Sequence, residues 1–170
     1  HWALINNENI TAATPCFIDE KIDTGDILLQ EKIKVDKKIN AGELHDKLKV
    51  IGARTVKKTI EEILNNGLKQ KKQEHDGNYK TAYKLDKENI KIDWNQNCLE
   101  IYNKIRGLSP FPGSRASLIN DNGDVKRVIF YESEYVIKDH NFENGQITKE
   151  KDFINITCNA VSYTHLRAHE

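Results

Sequence analysis

Two periods of hydrophobic and polar positions run along this chain. Between residues 27 and 35 they alternate: Ile27, Leu29, Glu31, Ile33 and Val35 share one face, and Leu28, Gln30, Lys32 and Lys34 the other. A period of two predicts a half-buried strand. Residues 11–18 are small, β-branched or apolar and read as another strand. Pro15 then sits near its start, at an edge or at a bulge, because proline cannot donate to a ladder. From residue 41 to residue 66 the steps become three and four. Leu44, Leu48, Ile51, Thr55 and Thr59 make one row, and Ala53, Val56, Ile60, Ile63 and Leu64 an adjacent one. Together they predict a long amphipathic helix. Asn65-Asn66-Gly67 stops it, with Gly67 suited to the left-handed position that follows a last turn. Residues 1–5 are apolar after His1 and close a helix, and Asn6-Asn7-Glu8-Asn9 is turn chemistry.

Periodicity disappears over residues 69–91, a lysine-rich stretch that reads as a linker between two units. It returns at Cys98, Ile101, Tyr102, Ile105 and Leu108, a short amphipathic helix. Asn97 followed by Glu100 resembles a capping box, and Ser109-Pro110-Phe111-Pro112-Gly113 ends the helix by removing backbone donors. Residues 116–119 and 125–131 flank Asn120-Asp121-Asn122-Gly123, a hairpin signal. Short strands are expected at 135–138, 146–148 and 153–158. Many short strands with close turns suggest a small barrel.

Composition adds limits. The 26 Lys+Arg balance the 26 Asp+Glu, so nucleic-acid binding would need a local basic patch. No apolar run approaches the roughly 20 residues of a membrane span, and no basic-then-apolar signal segment opens the chain. A soluble, cytoplasmic protein is expected. The three cysteines, Cys16, Cys98 and Cys158, lie far apart and read as buried free thiols of a reducing compartment. The histidines show no metal-ligand spacing, so no metal is expected; His45, His75 and His140 read as exposed. Trp94 reads as a packing anchor. The chain has no Met and is expected to continue upstream of His1. Residues 161–170 change character, show no strand or helix pattern, and resemble read-through of a sequencing adapter. They are set aside as a non-native tail.

The sharpest candidate chemistry is the loop Ile22-Asp23-Thr24-Gly25-Asp26. Two carboxylates flank a Thr-Gly pair between two predicted strands. Gly25 allows close approach of backbone to a ligand, and an acid there can orient a base or shuttle a proton. Read alone, the same residues also suit an acidic surface turn. The arginines and lysines of the second unit, Arg106, Arg115, Lys126 and Arg127, suit phosphate contact near a hairpin, and equally a solvated surface.

Two separated segments carry a family resemblance. TAATPCFIDEKIDTGDILLQ, residues 11–30, is similar to the segment of methionyl-tRNA formyltransferases in which a strand enters a Leu/Ile-Asp-Thr-Gly-Asp loop. Lys91-Ile92-Asp93-Trp94-Asn95 and the stretch from Ile101 to Gly113 resemble the entry, helix and Pro-x-Pro exit of that family's C-terminal domain. The resemblance covers residues 1–159. It implies an α/β remnant of a nucleotide-fold formyltransferase domain over residues 1–68. A linker over 69–91 would follow, then a truncated Greek-key, OB-like barrel that binds tRNA over 92–160.

It also implies a reaction. Formyl passes from 10-formyltetrahydrofolate to the amino group of methionine on initiator tRNA. The amine attacks the formyl carbon, donors stabilise the tetrahedral oxyanion, and a proton moves from the amine to the leaving N10. An Asn, a His and an Asp share this work in the family. The carry-over assigns the Asp to Asp23, which would orient the His, favour its charged form and order a water. Ile22, Thr24 and Gly25 would line the folate, and Arg106, Arg115, Lys126 and Arg127 would face the tRNA. The family's Asn-x-His pair does not occur in this sequence, and His1 falls in the helix after its place. The chain alone is therefore expected to be inactive, and the intact enzyme to be a monomer. Two alternatives are a formyltransferase acting on an amino sugar nucleotide and a non-catalytic RNA-binding module. A sheet remnant without partner strands is expected to expose apolar surface and to aggregate.

Overall fold

The computed structural model describes residues 1–20, 24–73, 79–150, 153–159 and 162–166. They fall into two compact units. One comprises His1–Glu8, Lys38–Gly42 and Lys84–Glu170, the other Asn9–Lys37 and Glu43–Tyr83.

The first unit is built around helix α3, Cys98–Leu108. Asn97 and Glu100 form the capping box: the Asn97 side chain accepts the Glu100 N–H at 3.0 Å, and the Glu100 carboxylate accepts the Asn97 N–H at 3.1 Å. The first helical turn is thereby supplied with partners its backbone lacks. Ile101, Ile105 and Leu108 are fully buried, as the spacing of three and four requires. Pro110 and Pro112 follow, without backbone donors. The four-residue helix α1, Trp2–Ile5, packs on α3. Gly107 permits that approach, since a β-carbon there would lie 2.7 Å from Ile5 Cγ1.

Strands β3, Ser114–Ile119, and β4, Val125–Phe130, form an antiparallel ribbon. Its turn is organised by Asn120, whose side-chain oxygen accepts the N–H groups of Asn122 and Asp124. Gly123 turns the chain back with φ +84°. Residues 90–92 pair beside β3 through Ile92 N–H to Arg115 O and Arg115 N–H to Ile90 O. Four further strands, β5 (Ser133–Ile137), β6 (Ile147–Glu150), β7 (Phe153–Cys158) and β8 (Ser162–Leu166), make an antiparallel sheet in the order β5-β8-β7-β6. β8 falls where the sequence showed no strand pattern, yet it lies between two others. Ile92, Cys98, Ile101, Ile105, Phe130, Ile156 and Cys158 form the core, with Trp94 packed against it. Trp94 meets the Phe130 ring edge-on at 5.9 Å, as a packing anchor would. Among the described residues no ladder joins ribbon to sheet, and barrel closure would need an unbroken ladder around the circumference.

The second unit holds β1, Ile10–Ala13, paired with β2, Glu31–Lys34. Pairing lapses at Pro15 and resumes as an isolated bridge between Cys16 and Ile27. The expected long strand over 27–35 is thus shortened, because proline offers no N–H to its partner. Its alternation survives: Ile33 is half-buried while Lys32 and Lys34 are exposed. Helix α2 spans Ala41–Asn66, the bounds its periodicity predicts. Its first row includes the buried Leu44, Thr55 and Thr59, but Val56, Ile60, Ile63 and Leu64 of the adjacent row are exposed. Phe17 and Ile18 are exposed too, so the expected bare apolar surface is present.

Candidate functional site

The acidic loop is described from Thr24 onward; Ile22 and Asp23 lie outside the described residues. Its C-terminal end is held from two directions. On one side, Phe17 N–H donates to Asp26 O at 3.1 Å and Leu28 N–H to Pro15 O at 3.0 Å. On the other, Ile27 and Lys71 exchange two backbone hydrogen bonds of 2.8 Å each. Gln73 Nε2 donates to the Gly25 carbonyl at 2.7 Å. Gly25 itself is buried, and a β-carbon there would lie 1.6 Å from the Phe17 carbonyl oxygen. No residue with a side chain fits without moving backbone, which is the physical reason for glycine in this loop. Thr24 and Asp26 are half-buried beside it. Lys71 and Gln73 lie in the stretch that reads as linker. Their part in the loop has no periodic signal, because the pairing spans more than forty residues of chain.

Beside this loop, Glu31 of β2 binds α2. Arg54 donates through Nε at 3.3 Å and through Nη2, and Thr55 Oγ1 lies 2.7 Å from Oε2. The Arg54 and Thr55 hydrogen bonds hold the carboxyl below its ordinary range.

The four candidate cations do not share one surface. Arg115 stands opposite Ile129, Ser117 opposite Arg127 and Leu118 opposite Lys126. Alternation puts Arg115, Ser117 and Arg127 on the outer face of the ribbon with the exposed Ile119, Val125 and Ile129. Ala116, Leu118, Val128 and Phe130 turn the other face to the core. Lys126 occupies an inner-face position near the ribbon's end and is exposed there. Arg106 departs from the surface placement expected of it. It is 6% exposed, with Nε bonded to Asn103 Oδ1 at 2.8 Å and Nη1 to Ile39 O at 3.2 Å. Its guanidinium also lies 5.6 Å from the centre of the Tyr102 ring. Segment 38–42 and α1 cover a side of α3 that the apolar spacing leaves polar, and the buried carbonyl of Ile39 takes the charge-assisted bond.

Other expectations divide. Cys98 and Cys158 are buried, but Cys16 is exposed at the isolated bridge, where too little sheet surrounds it. His45 is exposed; His140 is half-buried, with Nε2 3.3 Å from Cys158 O; His75 lies outside the described residues. A cavity of about 350 Å³ is lined by Trp2, Asn89, Gln96, Glu100 and Lys104. Burial pushes the Lys104 ammonium down from its usual range, with Asp93 opposing. Among the described residues no helix is long and apolar enough to cross a membrane.

Comparison with known proteins supplies the wider context. Residues 84–167 match the family described as "Formyl transferase, C-terminal domain". A methionyl-tRNA formyltransferase of Flavobacterium johnsoniae is 42% identical over 156 residues, covering 92% of this chain and 49% of that protein. One from Bacteroides fragilis is 37% identical over 160 residues, with the same coverage of 92% and 49%. The chain spans about half the length of the curated relatives it matches. Among solved structures, an N-formyltransferase from Helicobacter canadensis superposes with a TM-score of 0.69 at 20% identity, over 98% of this chain and 59% of that one. A 4-N formyltransferase from Francisella tularensis gives 0.59 at 27% identity, over 76% of this chain and 53% of that one. The matches to these relatives extend over the acidic loop as well as the β-rich unit, so the chain is similar to methionyl-tRNA formyltransferases over the part that includes the formyl transferase C-terminal domain.

Proposed function

We propose that the whole protein transfers formyl from 10-formyltetrahydrofolate to the amino group of methionine on initiator tRNA. The observation that carries this reading is the 42% identity over 156 residues to a protein named for that acceptor. The match runs through the loop as well as the β-rich unit. The structural neighbours named as an N-formyltransferase bound to an amino sugar nucleotide and as a sugar 3N-formyl transferase, at 20% and 22% identity, support the fold alone.

In this reading Asp23 orients the family's His and orders the water that carries the proton from the amine to N10. Ile22, Thr24 and Gly25 present backbone to the folate. Arg115 and Arg127, on one face of the ribbon, neutralise tRNA phosphates, with Lys126 at the ribbon's end. Arg106, turned inward, keeps α3 and segment 38–42 together instead. In the intact protein the ribbon and four-stranded sheet close into a small OB-like barrel. The enzyme acts as a monomer in the cytoplasm. The 170-residue chain alone is inactive, because no Asn-x-His pair occurs in it.

The test is formyl transfer to methionyl initiator tRNA by the full-length protein, with Asp23→Asn in parallel. Activity that collapses in the variant, by about 100-fold or more in kcat, supports the reading. A folded, folate-binding protein that leaves tRNA untouched and formylates an amino sugar nucleotide overturns it.

A further inference from the structure

We infer that Gln73 is a positioning residue for formyl transfer, fixing the backbone of the acidic loop through its hydrogen bond to the Gly25 carbonyl. The inference deepens the reading above and rests on Asp23 belonging to the reacting machinery.

Gly25 is two residues beyond Asp23 in sequence, and among the described residues of the loop it is held on two sides. The Phe17 carbonyl fills the space where a β-carbon would be, so the loop cannot shift toward the Phe17 backbone. The Gly25 carbonyl lies 2.7 Å from Gln73 Nε2, so a shift the other way breaks a part-buried bond. Two residues further, the Ile27–Lys71 pair anchors the chain that bears Gln73, with both of its bonds at 2.8 Å. The carboxamide is therefore delivered to the loop by a two-bond backbone bridge, and its reach does not depend on a free surface side chain. Gln73 is half-buried, which limits competition from water for the carbonyl.

A group that sets the direction of a catalytic loop changes kcat more than substrate binding, because small displacements of reacting groups are costly in rate. Gln73→Met keeps the length and packing of the side chain and removes the donor. In the full-length enzyme it is expected to lower kcat on the order of 10- to 100-fold, with KM for methionyl-tRNA within about twofold. Gln73→Glu, whose carboxylate cannot donate at neutral pH, is expected to behave the same way and serves if the Met variant fails to fold. In the 170-residue chain, amide exchange across residues 24–28 is expected to quicken in both variants. Unchanged kcat in a folded variant, or unchanged exchange in this loop, overturns the inference. Asp23→Asn is run beside them: if it keeps full activity the formyl-transfer assignment of Asp23 fails, while the exchange result still decides whether Gln73 holds the loop.

Discussion

On α3 the residues spaced three and four apart, Cys98, Ile101, Ile105 and Leu108, are all buried. On α2 an equally regular row, Val56, Ile60, Ile63 and Leu64, faces solvent, with Ile60 52% and Leu64 78% exposed. Both rows satisfy the same rule of helical spacing. The difference lies in what covers them. In the first unit β4, β7 and α1 close over α3, and its apolar stripe reaches full burial. In the second unit, among the described residues, a short two-stranded ladder accompanies α2, and one row of its stripe is left bare. Amphipathic spacing states that a helix has a face to bury; it does not state that the burying surface is present.

Paired truncations test this difference most severely. Ile105→Ala in α3 is expected to destabilise the chain by about 2–5 kcal/mol, the lost apolar transfer plus a cavity. Ile60→Ala in α2 is expected to stay within about 0.5 kcal/mol, because the side chain is already mostly exposed. Both are read by urea denaturation. An Ile60→Ala cost comparable to that of Ile105→Ala would break the comparison and mean that α2 is covered in solution.

Removing the cap of α3 probes its local support instead of its packing. Asn97→Ala leaves N-terminal amide groups without their side-chain acceptor and is expected to cost about 1 kcal/mol. Glu100→Gln, which keeps an acceptor for the Asn97 N–H, is expected to cost less in the same denaturation experiment. Equal losses would mean that the charge of Glu100 near the helix start outweighs the hydrogen bonds.

The smallest effect belongs to the attachment of α2 to β2. Arg54 and Thr55 bond the Glu31 carboxylate and lower its folded-state pKa. The unfolded chain then binds protons more readily than the folded one. The stabilisation is present above the ordinary carboxylate pKa of about 4 and is lost as pH falls through the lower folded value. Glu31→Gln should therefore lower Tm slightly at neutral pH, and the gap from wild type should close in acid. A gap that persists at low pH would show that Glu31 acts by packing and not by charge. Exposure of the pair keeps any such effect small.

The parts of this protein that were legible from sequence are those governed by neighbours within a few residues. The bounds of α2, the stripe and capping box of α3, and the hairpin turn at Asn120 and Gly123 follow from side chains three or four apart and from one residue tolerant of positive φ. The acidic loop's need for a glycine was legible, though the Phe17 carbonyl that imposes it was not, and the family resemblance was legible as two motifs in order. Arg106 was not. Helical spacing left it on the polar side of α3, and only the arrival of segment 38–42 with the Ile39 carbonyl turned that side inward.

Sequence by itself determined the helices, the turn, the strand alternation and the residue types of the loop, since each depends on local sterics and short-range periodicity. Tertiary structure alone decided that β8 enters between β5 and β7, that α1 packs on Gly107, that Arg106 is interior and that Gln73 reaches Gly25. Each of those outcomes joins residues far apart in the chain. Their partners are selected by which backbone groups and apolar surfaces remain unsatisfied once the local elements have formed, a quantity that no window of sequence contains.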